Sequence, residues 1–120
     1  MIVGIGTDLV EIGRVQKLVE RKNSLSRIFS EDELAFAGSD STTLAGNFAV
    51  KEAVSKVFGT GFFGLEPFEI EVFRDTKGAP YVKVSGRARK LALEMKITKF
   101  HVSITNTKGL AQAFVIGECL

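Results

Sequence analysis

The stretch FAVKEAVSKVFGTG, Phe48 to Gly61, constrains the fold more than any other part of this chain. It reads as a helix that is apolar on most sides, and such a helix has to be surrounded by the rest of the molecule. The same helix nevertheless carries Glu52, Ser55 and Lys56. Residues three and four apart share a helix face, so a carboxylate, a hydroxyl and an ammonium are expected to project together. Gly59 and Gly61 follow at once, where backbone can approach a ligand closely or simply cap the helix. The polar segment Ser39 to Thr43 offers N-caps, which sets the helix at roughly Thr43 to Phe58.

The elements around it follow from pattern. Ile2 to Ile5 reads as a short buried strand ending in a Gly6-Thr7-Asp8 turn. Leu9 to Lys22 has Ile12, Val15, Leu18 and Val19 at helical spacing. Ser30 and Glu33 form a capping box for a short helix that stops at Gly38. After Gly64 the period changes. Phe68 to Phe73 and Tyr81 to Val84 alternate apolar and polar residues around the turn Asp75-Thr-Lys-Gly78, as in a hairpin. Ser85 is placed to cap a helix over Gly86 to Met95, and strands Phe100 to Thr105 and Leu110 to Gly117 flank Asn106-Thr-Lys-Gly109. No linker or repeat divides the chain, so one domain over residues 1–120 is expected. Its class is α+β, a mainly antiparallel sheet packed with the central helix.

Bulk properties exclude several functions. A formal charge of +2 with no block of Lys or Arg gives no footprint for nucleic acid. The one cysteine, Cys119, cannot close an internal disulfide. The N-terminus lacks a basic n-region and is interrupted by Gly4, Gly6 and Asp8, so it reads neither as a signal peptide nor as a membrane span, and a cytoplasmic location is expected. Gly59-x-Gly61-x-x-Gly64 has the letters of a dinucleotide fingerprint, but it follows a helix where that motif needs a strand before it and a helix after it.

What remains is a pair of carboxylates. Asp8 lies at the mouth of the first strand, and Glu52 lies on the central helix. Asp8 could equally cap the next helix, and Glu52 could pair with Lys56 one turn on. Two carboxylates without a His/Cys set suit Mg²⁺, which completes its shell with water and substrate phosphate, and do not suit structural zinc. Lys56 could then neutralise or protonate a phosphate leaving group. Arg14, Lys17 and Arg21 recur on one face of the first helix as a basic stripe, either solvated or able to dock an acidic partner. His101, the only histidine, is given no role.

Three motifs together are similar to one family: GIGTDLVEI (Gly4 to Ile12), FAVKEAVSKVFGTG (Phe48 to Gly61) and HVSITNTKGLAQAFVI (His101 to Ile116), with a smaller GAPYV at Gly78 to Val82. They resemble the holo-[acyl-carrier-protein] synthase type of 4′-phosphopantetheinyl transferase. The resemblance implies that fold, and a role in fatty acid and lipid metabolism. It implies transfer of phosphopantetheine from coenzyme A to a serine of apo acyl carrier protein, releasing 3′,5′-ADP. Asp8 and Glu52 match the Mg²⁺ ligands, and Lys56 matches the lysine that serves the leaving phosphate. The proton acceptor is Glu52 or a metal-bound water. Coenzyme-contacting positions correspond to Phe48, Ser55, Lys56, Gly59, Gly61, Pro80, Ile104, Thr105, Asn106 and Thr107. Arg14, Lys17 and Arg21 become the carrier-docking stripe. The resemblance also implies a homotrimer with the coenzyme between subunits, one contributing Asp8 and Glu52 and the next the loop Ile104 to Lys108.

Two departures stand out. Asn106 replaces a usual histidine, and Asn47 replaces a usual arginine, at positions expected near the coenzyme's 3′-phosphate. These substitutions keep open a non-catalytic module that binds coenzyme A or a related nucleotide. A purely structural oligomerising domain is a third reading.

Overall fold

The computed structural model describes residues 1–21 and 23–120. Its elements run β1 (Ile2–Glu11), α1 (Ile12–Val19), a 3₁₀ turn (Leu25–Arg27), α2 (Glu31–Ala37), α3 (Ser41–Phe58), a second 3₁₀ turn (Pro67–Glu69), β2 (Ile70–Arg74), β3 (Pro80–Val84), α4 (Gly86–Glu94), β4 (Lys99–Thr107) and β5 (Leu110–Glu118). Two antiparallel sheets form, one in the order β1-β5-β4 and the other the β2-β3 hairpin. The α+β architecture expected from the changing period is therefore present.

Helix α3 is the central element. Its Leu44, Ala45, Ala49, Val50, Ala53 and Val54 are wholly buried. One flank lies on β1 and β5, while α2, β2 and the 3₁₀ turn at Pro67–Glu69 close over another. Asp40 caps it, its carboxylate accepting from the Thr43 amide at 3.2 Å, and Gly59 ends it at φ 79°. In α2 the Ser30–Glu33 capping box forms in both directions, at 3.1 and 3.0 Å.

The largest difference from the sequence reading is at β1. The Gly6-Thr7-Asp8 turn does not form, because β5 offers a continuous partner: Gly6, Thr7 and Asp8 stand opposite Val115, Phe114 and Ala113. A long-range ladder outweighs local turn preference here. Helix α1 consequently starts at Ile12 and ends at Val19. Arg21 lies past its end, off the helix that was to carry it, and Lys22 lies outside the described residues. A smaller difference concerns α4. Ser85 occupies the N-cap position without a capping bond from its side chain, and the Glu69 carboxylate instead accepts from the Ala88 amide at 3.0 Å.

The three-stranded sheet has two unlike faces. Gly6, Val10, Ala111, Ala113 and Val115 are buried on the α3 side. Ile5, Leu9, Leu110 and Phe114 are exposed on the other, with nothing among the described residues covering them.

Candidate functional site

Strand β1 and helix α3 bring Asp8 and Glu52 to one cleft of roughly 360 Å³, walled by Leu9, Val10, Val15, Leu18 and Phe48, with Arg14 at its rim. Strand alternation explains Asp8: with Gly6 and Val10 it points to the α3 side, and at the edge strand that side opens to solvent. Glu52 follows from helical spacing, one turn past Phe48. Burial is the main reason the Glu52 carboxyl is pushed above its ordinary value; the Asp8 charge adds to this and Lys56 partly offsets it. A carboxylate whose charge is disfavoured by burial and by a second carboxylate nearby is what a hard divalent cation would relieve.

Of the two readings left open for Glu52, the one-turn pair with Lys56 does not form. Its ammonium crosses to β1, donating to the Thr7 carbonyl at 2.9 Å and approaching Asp8 Oδ1 at 3.3 Å. The Lys56 side chain is 52% exposed and that of Asp8 18%, so the pair faces water and can reach a ligand. Asp8 is thus no helix cap.

Ser55 departs from the sequence reading. It is fully buried, and its hydroxyl donates to the Glu52 carbonyl at 2.6 Å, so it does not project with Glu52 and Lys56. The position falls on the inner side of the helix, where a hydroxyl back-bonds to its own backbone. Asn47 is also interior, 1% exposed, with no partner for its Oδ1 among the described residues. That burial removes it from the surface where a coenzyme phosphate contact was expected.

The remaining expected coenzyme positions do not line the Asp8–Glu52 cleft. Gly59 and Gly61 lie just past α3 at positive φ. Pro80 opens β3 opposite Arg74. Ile104 packs against α3 at Gly46. Thr105, Asn106 and Thr107 border a separate depression with Leu9, Leu110 and Gln112. Of the basic stripe, Arg14 reaches the cleft, and Lys17 is exposed in the last turn of α1. Among the described residues no three His, Cys, Asp or Glu side chains gather, which leaves the two-carboxylate site as the metal candidate.

The sequence reading missed a second charged site on α3. Lys51 and Glu33 are both wholly buried and 2.6 Å apart. The Lys51 ammonium also donates to the carbonyls of Pro67 and Ile70. Glu33 further accepts from the Val72 amide at 3.0 Å. Burial holds the Lys51 amine down at about 8, against the opposing pull of Glu33. The available signal was a charged residue on the inward side of an otherwise apolar helix, which requires a partner.

Residues 4–115 match the sequence profile of the 4′-phosphopantetheinyl transferase superfamily. The chain belongs to that family. It is 55% identical over 120 residues to a holo-[acyl-carrier-protein] synthase of Lachnoclostridium phytofermentans, covering 100% of this chain and 98% of that one. Among solved structures, it superimposes on an acyl carrier protein synthase of Plasmodium yoelii with ADP bound at TM-score 0.88 and 32% identity, covering 98% and 95% of the two chains. The holo-[acyl-carrier-protein] synthase of Helicobacter pylori in complex with coenzyme A gives TM-score 0.85 and 32% identity, covering 95% and 99%. The transferase fold and the enzyme class are therefore those of this family.

Proposed function

We propose that this chain, as a single transferase domain, moves the 4′-phosphopantetheine group of coenzyme A to a serine of apo acyl carrier protein, giving holo carrier and 3′,5′-ADP, with Mg²⁺ as cofactor. The observation that carries this reading is the convergence of Asp8 and Glu52 at one open cleft, with the Lys56 ammonium 3.3 Å from Asp8.

Asp8 and Glu52 fit Mg²⁺ by donor type and number, and their mutual repulsion favours a divalent cation. Bound there, the ion would draw negative charge from the coenzyme's pyrophosphate as the bond to the leaving phosphate breaks. Lys56, on a flexible exposed stem, is placed to donate a hydrogen bond or proton to that leaving phosphate. Phe48 and the apolar residues of α1 restrict water at the cleft wall. The attacking hydroxyl comes from the carrier, so no nucleophile is required of the enzyme. Arg14 at the rim and Lys17 beyond it would meet an acidic helical carrier.

The uncovered face of the large sheet supports the homotrimer. Ile5, Leu9, Leu110 and Phe114 form an exposed apolar surface that a second copy would bury. The depression at Thr105, Asn106 and Thr107 opens on that side, separate from the Asp8 cleft of the same chain. A coenzyme reaching both would lie between subunits. A cytoplasmic location accords with this role.

The test is incubation with coenzyme A, Mg²⁺ and apo acyl carrier protein, read by intact mass. One phosphopantetheine added to the carrier is expected. An unmodified carrier overturns the reading.

A further inference from the structure

The distance between the two carboxylates depends on how closely α3 can approach β1, and that approach is set by a residue with no side chain. A Cβ on Gly6 would lie 2.8 Å from the carbonyl carbon of Ala53 and would overlap its oxygen. These are backbone atoms inside a helix and cannot rotate aside. Gly6 is two residues before Asp8 on the same face of β1, and Ala53 is the residue after Glu52. The contact therefore lies directly beneath the carboxylate pair.

Two other glycines line the same contact. A Cβ on Gly4 would meet the Val57 carbonyl oxygen at 3.0 Å, and one on Gly117 the Val57 Cγ1 at 2.7 Å. Gly117 differs from Gly4 and Gly6 in kind, since its nearest neighbours are side-chain atoms of Val57 and Ile97. Pressure at Gly6 moves the backbone of α3. Pressure at Gly117 moves side chains.

We propose that Gly6 is a positioning residue for the metal site, its bare backbone seating α3 at the one separation that lets Asp8 and Glu52 share a cation. This rests on the metal reading given above. Mg²⁺ tolerates little deviation in metal–oxygen distance, ~2.0–2.1 Å, so displacing the helix by about 1 Å removes one carboxylate from the shell. A glycine that served packing alone would lower stability and leave cation affinity per folded molecule unchanged.

The experiment measures Mn²⁺ uptake by loss of the free-ion electron paramagnetic resonance signal, with and without coenzyme A, alongside thermal melting. Gly6→Ala is expected to weaken Mn²⁺ binding by roughly tenfold or more, the scale expected when a supporting contact is lost. Gly117→Ala is expected to lower the melting temperature and bind Mn²⁺ as the unaltered protein does. Equal loss of affinity in both variants overturns the proposal, as does unchanged affinity in Gly6→Ala. Should Gly6→Ala fail to fold, Gly4→Ala decides. It presses more gently on the same helix, so a few-fold weakening is expected and unchanged binding overturns the proposal. If the unaltered protein takes up no Mn²⁺ even with coenzyme A, the metal reading itself falls and this inference with it.

Discussion

Lys51 and Lys56 sit five residues apart on α3, and each lies beside a carboxylate. Their settings are opposite. Lys51 is sealed against Glu33, every donor bond directed at fixed interior oxygens. Lys56 stretches over the helix surface to Asp8 with half its side chain in water. Five residues turn the helix by about 140°, so the same residue type serves the interior on one face and the cleft on the other. A charge used for structure has to be satisfied completely, whereas a charge used on a ligand has to stay available. The comparison predicts that the two lysines fail in different assays.

The largest effect is expected at the buried pair. Lys51→Met leaves Glu33 charged, buried and without its cation, a change that costs about 3–5 kcal/mol. Denaturant unfolding should show this. Loss of the same size from Lys56→Met would erase the distinction between the two faces. Next is Glu52→Ala, expected to lower transfer to the carrier about 10²-fold or more with little change in the unfolding midpoint. Near-normal turnover would remove Glu52 from the site.

Lys56→Ala sharpens the contrast from the exposed side. Exposed ion pairs contribute about 0–1 kcal/mol to stability, so its melt should barely move. Its kcat should fall by about 10²-fold through loss of assistance to the leaving phosphate. The smallest effect concerns pH. The Glu52 carboxyl is raised in the folded state, so its contribution to stability is complete below the unfolded value and is lost as pH rises through the folded one. In metal-free buffer Glu52→Gln should therefore melt slightly higher than the unaltered protein at pH 7 and equally at pH 3.5. A lower melt at pH 7 would mean that the ionised carboxylate stabilises the fold.

What could be read from the chain divides along similar lines. Helix α3, the α2 capping box and the β2-β3 hairpin each have their cause within a few residues, and all three appear in the structure. The extension of β1 through Asp8 does not, because the strand that enforces it begins more than a hundred residues later. The Asp8–Glu52 convergence was anticipated from matched motifs; helical periodicity alone left Glu52 free to pair with Lys56. Ser55 shows the limit of face arithmetic. It falls between the open and packed sides of the helix, and only the tertiary neighbours decide which it joins. Lys51 was missed for the converse reason: Glu33, its partner, already had a capping role to explain it.

Strand β1 is a ribbon with two readerships. Its even-numbered residues Gly6, Asp8 and Val10 face α3, while Ile5, Thr7 and Leu9 face outward on the bare side of the sheet. Deleting one residue ahead of Asp8 would exchange the sides, sending the carboxylate outward and an apolar residue into the cleft. Substitutions can change either side by itself. Insertions and deletions cannot, so chains descended from this one can diverge at the outward positions of β1 but are held to its length.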